Sequence, residues 1–440
     1  MTIKQISFAV FLFVFSGLFA FTVFRLVSFF KLTKESYPIN RIGERLNILL
    51  LVAFGQSKIL RRPAIGLMHA LVYWGFLVIT IGSTEMVLDG LFGSERIFGF
   101  LGPIYTFIVA SGDLFAAFII FACFAFLFRR HIMKVKRFSG TEMTAKSSAD
   151  ATIALSMIII LMISLLGMNA GYLAVHGPDP VGYYPVAKYL TSMIAPENAH
   201  FVHETNWWVH IVTIFVFMNI LPYSKHFHIF MSMPNVFLTD LKPMTQLDNM
   251  KSVTKEVKLM MSEWTPSEAP DNASETPAEE SAPPERFGVK DVEDLTWKNY
   301  MDSLTCTECG RCTSVCPANI TGKLLSPRKI FVDVRKRMND KGPGLAKDNA
   351  YTDGKALVGD YITTEELWAC TTCNACVQEC PVNIDHVSLI VNMRRNLVME
   401  ESNAPTELIQ MFTNIENNGS PWQFSPDDRM KWATNIAKNS

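Results

Sequence analysis

The chain has 440 residues and a formal net charge of −1, and 49% of its residues are hydrophobic. This length allows two or three domains, and the apolar residues concentrate in the first half. No basic patch for nucleic acid, phosphate-binding loop or nucleophile with a general base stands out, so we predict no catalytic residues and no nucleic-acid partner.

The apolar half predicts a membrane domain over residues 1–230. It contains five apolar segments, each long enough to cross a hydrocarbon core of about 30 Å as a helix. The positive flank of the first segment follows the apolar run, and no cleavage site stands out, so we interpret it as a retained helix rather than a signal peptide. The predicted spans are residues 6–30, 67–88, 103–128, 151–175 and 206–223.

Basic residues alternate between the loops and predict the orientation. Residues 31–62 carry seven Lys or Arg side chains and residues 129–146 carry six, whereas the alternate loops, 89–102 and 176–205, carry only Arg96 and Lys188. Basic loops stay on the cytoplasmic side. We therefore expect a multi-pass protein of a bacterial cytoplasmic membrane, with its N-terminus outside and its second half in the cytosol.

The second half predicts soluble segments of different character. Residues 231–261 read as a cytoplasmic connector with a helix near its end, and residues 262–286, rich in Pro, Glu, Ser and Ala, read as a flexible spacer. Residues 287–400 predict helices at 327–338 and 387–399 and a helix start at Thr363, which is typical of an α-helical ferredoxin domain. Residues 401–440 form a mixed tail that could dock a partner. The expected fold class is all-α.

Eight of the nine cysteines lie in two copies of one spacing, Cys-x2-Cys-x2-Cys-x3-Cys-Pro, which is typical of a pair of [4Fe-4S] clusters. A triple run supplies only three thiolates before the chain leaves, so the fourth ligand comes from the other run. This crossed pattern predicts one cluster on Cys306, Cys309, Cys312 and Cys380, and a second on Cys370, Cys373, Cys376 and Cys316.

Other uses of these cysteines are disfavoured. Disulfides need an oxidising compartment, and the predicted topology places the cysteines in the cytosol. Zinc favours two Cys-x2-Cys pairs around one tetrahedral ion, which suits neither the triple runs nor the Cys-Pro endings. The ninth cysteine, Cys123, lies among phenylalanines in the third span and is expected to pack as a small apolar residue.

Histidines at the ends of the spans suggest haem b, which requires two imidazoles at equal depth on facing helices. His69 begins the second span and His228 ends the fifth, both on the cytoplasmic side, so we predict this pair as axial ligands. His210 precedes His228 by eighteen residues, or five helical turns, and could hold a second, outer haem. Its partner would have to come from the outer loop, which offers His176, His200 and His203. His131 and His226 are expected to be interfacial.

Asp113 lies near the middle of the third span, where an ionisable residue is costly. A proton path, a quinone hydrogen bond and a structural hydrogen bond to Ser111 or to another helix would each explain it, and the sequence leaves these open.

Several stretches resemble a known family. His69-Ala-Leu-Val-Tyr-Trp-Gly-Phe76 and Leu221-Pro-Tyr-Ser-Lys-His-Phe-His228 are similar to the membrane domain of respiratory nitrate reductase gamma-subunit-like proteins, in the version fused to heterodisulfide-reductase-like iron-sulfur proteins. The second half agrees through Thr321-Gly-Lys323, Ser326-Pro-Arg328, Met393-Arg-Arg395 and the run from Trp368 to Cys376. In such gamma subunits the second span supplies two haem histidines, whereas only His69 is present here. No cysteine follows Cys380, so the CCG domains of fused relatives are expected to be absent or on another polypeptide.

The resemblance implies a membrane-anchored electron-transfer subunit. Electrons would pass between a quinone, haem b, two [4Fe-4S] clusters and a cytosolic partner, such as a CCG-domain thiol/disulfide oxidoreductase subunit. One alternative is a quinone-linked partner of an electron-transfer flavoprotein. Another is a haem-free membrane tether or redox sensor, in which the clusters report rather than conduct.

Overall fold

The fold was obtained as a computed structural model that describes residues 2–138, 140, 142–177, 180–263 and 286–438. These residues form helices and turns with only two isolated β-bridges, so the described chain contains no sheet. Most of the predicted spacer lies outside the described residues. The helices of the membrane half are α1 (Ile3–Ser28), α2 (Ile42–Ile48), α3 (Pro63–Phe92), α4 (Pro103–His131), α5 (Ala145–His176), α6 (Ala187–Leu190), α7 (Ala199–Ile220) and α8 (His228–Phe237).

The five predicted spans are confirmed as long apolar helices. They comprise α1, α3, α4, α5 and α7 with short 3-10 extensions, and each is long and apolar enough to cross a membrane. Large apolar side chains such as Phe13 and Phe107 point outward and are more than 70% exposed. An apolar outer surface of this kind suits lipid rather than water. These features mark the chain as a membrane protein.

Glycines allow the spans to approach closely. Gly167 and Gly171 lie one turn apart on α5, and a Cβ added at either would come within 2.7 Å of Asn206 or of the His203 backbone on α7. Small residues four apart let two helix backbones pack tightly in a membrane, where van der Waals contact drives association. Gly75 serves α3 in the same way against Phe115 and Ile119 of α4.

The expectation that His228 ends the fifth span is wrong. Helix α7 ends at Ile220, two 3-10 turns follow over Leu221–Tyr223 and Lys225–Phe227, and His228 begins a separate helix. Pro222 explains the break, because proline lacks an N–H and its ring collides with the preceding helical turn. His210 and His228 therefore do not share one face of a continuous helix, and the five-turn spacing does not apply.

The second half is built from α9 (Lys251–Glu263), α10 (Trp297–Thr305), α11 (Arg311–Ser314), α12 (Pro317–Ile320), α13 (Pro327–Leu345), α14 (Thr364–Trp368), α15 (Ala375–Glu379), α16 (His386–Met399), α17 (Thr406–Asn418) and α18 (Lys431–Lys438). The helices predicted at 327–338 and 387–399 are confirmed, although α13 runs about two turns further. Thr363 caps α14 in a capping box with Glu366, as predicted.

The cysteine-rich half packs directly against the end of the bundle that carries the basic loops. Leu26 and Phe29 at the end of the first span, and Phe227 before α8, lie in the same apolar core as Tyr300 and Leu304 of α10. The Tyr300 hydroxyl donates to the Leu26 carbonyl across this boundary, at 3.3 Å. The described parts of the two halves therefore share a core.

Candidate functional site

The two cysteine runs make turns of the same backbone shape. Glu308 and Thr372 occupy matching positions, and both have a left-handed backbone with φ of 55°. Gly310 and Asn374, which follow the second cysteine of each run, are also left-handed and begin α11 and α15. Glycine and asparagine adopt positive φ most readily, which explains how each run turns so tightly.

The eight thiols fall into two groups, defined by which other cysteines shift the pKa of each thiol. Burial raises the pKa of the Cys312 thiol well above its usual value, and the charges of Cys309, Cys306 and Cys380 raise it further. Burial also raises the pKa of Cys376, and Cys370, Cys316 and Cys373 add to that shift. Cys376 also acts on Cys312, so the groups adjoin. We call Cys306, Cys309, Cys312 and Cys380 the first thiol group, and Cys370, Cys373, Cys376 and Cys316 the second thiol group.

The two groups differ in exposure. In the first thiol group only Cys309 is half-buried and the rest are buried, whereas in the second Cys373 is exposed. Burial raises the pKa of Cys306 to about 11 and that of Cys380 to about 12, so the protein alone disfavours their thiolates. Coordinated iron would supply the positive charge that stabilises them.

The backbone near the thiols suits sulfur ligands. The N–H of Ile384 points at the Cys380 Sγ and that of Thr372 at the Cys370 Sγ, both at 3.4 Å. Hydrogen bonds to sulfur are one of the levers by which a protein sets a cluster's potential. Within the described residues no three His, Cys, Asp or Glu side chains converge closely enough for a single metal ion.

Basic side chains of the membrane half reach the first thiol group. The Lys58 Nζ donates to the Cys380 carbonyl at 3.2 Å, and Arg311, between Cys309 and Cys312, donates to the Lys58 carbonyl at 3.0 Å. Arg62, just before the start of α3, pairs with Glu379 at 2.8 Å. The first thiol group therefore faces the membrane half.

A buried polar triad also joins the two halves. Asn235 of α8 donates to the Asp302 carboxylate and to the Val382 carbonyl, both at 2.9 Å, and accepts from Lys298 at 3.0 Å. Burial raises the pKa of the Asp302 carboxyl, and the charge of Lys298 and the hydrogen bonds from Lys298 and Asn235 partly offset that rise. Asn235 is fully buried, and each polar atom of its amide has a partner. This network fixes the cysteine-rich half at a defined position.

Glu308, inside the first cysteine run, adds a second set of contacts. It pairs with Arg335 and, at 3.5 Å, with Lys225 just before His228, and Ser147 of α5 donates to it. These groups are largely buried and hold the run beneath α5 and α8.

The structure brings His69 and His228 near each other. The two side chains are half-buried and close enough to interact electrostatically, and Arg311 acts on His69 as well. The Nδ1 of His228 lies 3.0 Å from the Lys225 carbonyl, which leaves its Nε2 available as a ligand. Among the described residues, the buried Nδ1 of His69 has no hydrogen-bond partner. Each of the two rings therefore keeps a nitrogen without a protein partner among the described residues.

His210 has a different environment. It is 1% exposed, and its Nδ1 lies 2.9 Å from the Leu161 carbonyl and 3.1 Å from the Ser164 hydroxyl. Of the outer-loop histidines, His203 bonds to the Met168 carbonyl, His176 to the Tyr172 carbonyl, and His200 is exposed. His210, His203 and His176 therefore each have one ring nitrogen hydrogen-bonded within the protein. The Nδ1 of His226 lies 2.8 Å from the Ser224 hydroxyl, and the exposed His131 bonds to Thr152.

Asp113 is engaged by another element rather than by Ser111. Its carboxylate accepts from the backbone N–H groups of Val186 and Ala187, at 2.6 and 3.0 Å, and from Asn169 at 3.3 Å. The Ser111 hydroxyl instead donates to the Ile108 carbonyl. These contacts anchor the start of α6 to the bundle, and a role in a proton path or at a quinone stays a prediction.

Sequence reasoning missed Glu85 as a member of this outer network. Its buried carboxylate accepts from the Phe98 N–H at 2.9 Å and from the Tyr105 hydroxyl at 3.0 Å, with Arg96 3.9 Å away. The network lines a cavity of about 50 Å³ between α3, α4 and α5. The Glu85 side chain is thus turned into the bundle and is 2% exposed. Cys123, in contrast, is buried with Ala116 and Ile119 of α4, as a packing residue would be.

Comparison with known proteins supports this account of the second half. Residues 305–384 match the family model of the 4Fe-4S dicluster domain. That segment begins just before Cys306 and ends after Cys380, so it contains both thiol groups. The chain therefore carries an iron–sulfur domain attached to a membrane bundle.

Three curated relatives extend the comparison. The probable iron-sulfur-binding oxidoreductase FadF of Bacillus subtilis is 27% identical over 94% of this chain and 58% of its own length. The EtfAB:quinone oxidoreductase of Syntrophomonas wolfei is 28% identical over 90% of this chain and 55% of its own. One polypeptide of the ferredoxin/F(420)H(2)-dependent CoB-CoM heterodisulfide reductase of Methanosarcina acetivorans is 35% identical over 23% of this chain and 49% of its own.

The chain thus spans somewhat more than half the length of the first two relatives. The relatives are iron–sulfur oxidoreductases or their electron-transfer subunits. None of the solved structures matches the chain.

Proposed function

We propose that the chain is a membrane-anchored subunit that conducts electrons between a quinone in the membrane and a soluble redox partner. The observation that carries this proposal is the position of Arg311. It acts electrostatically on His69 at the start of α3 and also on Cys309 and Cys380 of the first thiol group. The proposed haem ligand His69 and two thiols of the first thiol group therefore have one side chain as a common neighbour.

In this proposal each thiol group holds one [4Fe-4S] cluster. The crossed pattern is supported by Cys380 lying with the first run and Cys316 with the second. The first thiol group, against the membrane half, would exchange electrons with the haem site. The second, with Cys373 exposed, would exchange electrons with the partner.

His69 and His228 are the proposed axial ligands of a haem b. When bound, the haem supplies a one-electron carrier within the membrane. The Lys225 carbonyl orients the His228 ring, and the contacts of Lys225 with Glu308 and with Ser147 fix that carbonyl's segment beneath α5. His210 stays a prediction as a ligand of a second haem, and Asp113 as a proton or quinone group, and neither is required.

We place the iron–sulfur domain on the cytoplasmic side. It packs against the loops with the most Lys and Arg, and such loops are retained in the cytosol. Lys58, Arg61 and Arg62 then serve two purposes, because they set the topology and also contact the domain at Cys380, Gln378 and Glu379.

The comparisons favour two classes of protein as the soluble redox partner. Similarity to the EtfAB:quinone oxidoreductase extends over 90% of the chain, which favours an electron-transfer flavoprotein. Similarity to the heterodisulfide reductase polypeptide is confined to 23% of the chain, which keeps a CCG-domain thiol/disulfide oxidoreductase as the second possibility. Purification of the native complex in mild detergent without oxygen would identify the bound partner. A flavoprotein supports the first arrangement, and a CCG-domain protein supports the second.

Replacement of the histidines tests the haem assignment. We expect His228→Ala and His69→Ala each to abolish the b-type absorbance of the purified chain without loss of cluster iron. His226→Ala is the matched control, because this neighbouring ring already bonds to Ser224, and it should keep the full spectrum. A full haem spectrum in His228→Ala would refute the assignment, and a native chain with clusters but no haem would favour the tether or sensor.

A further inference from the structure

Cationic side chains converge on the first thiol group from both halves of the chain. The membrane half contributes Lys58, which bonds to the Cys380 carbonyl, and Arg137 from the segment after α4. The cysteine-rich half contributes Arg311. Burial lowers the pKa of both Arg137 and Arg311, and Cys309 is the first opposing charge on each. The backbone agrees, because a Cβ added at Gly310, the residue after Cys309, would come within 2.6 Å of the Arg137 carbonyl.

Arg137 carries a further sign of an interaction with the site. Its Nε is buried and has no hydrogen-bond partner within the described residues. A buried donor without an acceptor is costly, so an acceptor is expected there. A thiolate or sulfide on the side of Cys309 would provide one.

Other charges near the first thiol group largely cancel. Arg335 donates to the Cys306 carbonyl at 3.1 Å but is paired with Glu308, and Arg62 is paired with Glu379. In the described part of the chain, no carboxylate lies within ion-pair distance of Lys58, Arg137 or Arg311. Glu379 also acts electrostatically on Lys58 and Arg311. The five cations Lys58, Arg62, Arg137, Arg311 and Arg335 thus face the two carboxylates of Glu308 and Glu379, which leaves an excess of three positive charges.

The second thiol group has fewer such neighbours. Arg394 donates to the Cys370 carbonyl at 2.5 Å, and it is the cation that acts on the Cys370 thiol. The first group therefore has about two more positive charges beside it than the second group has. The deeper burial of the first group lowers its cluster's potential, because adding negative charge to a buried cluster costs more than adding it to one near water. The cations are themselves partly buried, so salt and solvent screen them weakly.

We propose that Lys58, Arg137 and Arg311 make the first thiol group the site of the higher-potential cluster. With a cluster in each group, one electron from an external reductant would reside mainly on the membrane-side cluster, taking it from the 2+ to the 1+ state. Arg137 acts as a positioning and charge-supplying residue from the membrane half. This inference rests on the proposed function, because it requires a cluster in each group.

The test is a potentiometric titration of the full chain in detergent, with dithionite as reductant and electron paramagnetic resonance as readout. A Cys309→Ser variant changes the signal of the first group and so identifies it. In the unaltered chain we expect that signal to appear first on reduction. Arg137→Gln should lower its midpoint potential, shifting electron sharing between the clusters about tenfold toward the second group. Arg137→Lys, which keeps the charge, should retain most of the potential.

Two further variants complete the test. Lys146→Gln removes one exposed charge from the same basic side and should shift neither signal. Lys58→Gln should lower the first group's potential as Arg137→Gln does, and it replaces that variant if Arg137→Gln fails to assemble. A first-group signal with the lower midpoint, or equal midpoints in Arg137→Gln and the unaltered chain, would overturn the inference while leaving both clusters in place. An iron-free native chain would instead overturn the proposed function.

Discussion

Replacing Asn235 tests how firmly the two halves are joined. Asn235→Leu keeps the volume of this fully buried side chain but removes three hydrogen bonds, to Asp302, Val382 and Lys298. Each hydrogen bond contributes about 1 kcal/mol to stability, so the three together contribute about 3 kcal/mol. None of this is recovered at the Val382 carbonyl, which stays buried without its donor. Such a loss raises the equilibrium constant for local opening about 150-fold.

Hydrogen exchange on the full chain in detergent measures this opening directly. Peptides that cover α8 and α10 should lose protection together in Asn235→Leu, while those from α4 should not change. Ser232→Ala, on the same helix and half-buried, is the matched control and should behave as the unaltered chain. Unchanged protection of α8 and α10 in Asn235→Leu would refute the argument that this triad holds the domain in place.

Three other predictions concern the ligand sets of the clusters, the outer network around Glu85 and the role of iron in the fold. Cys316→Ser should alter the paramagnetic signal of the second thiol group and spare the signal linked to Cys309, and the opposite pattern would contradict the crossed ligand sets. Glu85→Leu leaves the buried Tyr105 hydroxyl and a backbone N–H without their acceptor; we expect a loss of about 2–4 kcal/mol, seen as a lower melting temperature in detergent, and an unchanged melting temperature would count against the outer network. Removal of iron with a chelator should cost α13 and α16 their exchange protection while the spans keep theirs, because three of the cysteines lie in the apolar core of that half; full protection of the iron-free chain would show that this core does not depend on metal.

The features that sequence predicts best are local ones. The five spans follow from hydropathy because a helix must match the thickness of the hydrocarbon core. The start of α14 follows from Thr363 and Glu366, which lie three residues apart and cap each other. The spacing of the cysteines likewise carries the cluster prediction within a short stretch of chain.

Contacts between distant residues could not be predicted in this way. Arg137 and Cys309 meet only because the cysteine-rich half docks on the segment after α4, and hydropathy carries no such information. Asp113 looks functional by depth alone, whereas the backbone of Val186 and Ala187 satisfies it. The break before His228 did have a signal, Pro222, which the helical spacing argument overlooked.

The most direct test of the proposed electron path is the oxidation of the pre-reduced full chain by a water-soluble quinone, followed anaerobically in a stopped-flow spectrometer. The account predicts that haem b absorbance and cluster signals decay together in the unaltered chain. In His228→Ala it predicts intact clusters that the quinone oxidises far more slowly. Equal rates of cluster oxidation in the two proteins would contradict a path through the His69 and His228 site.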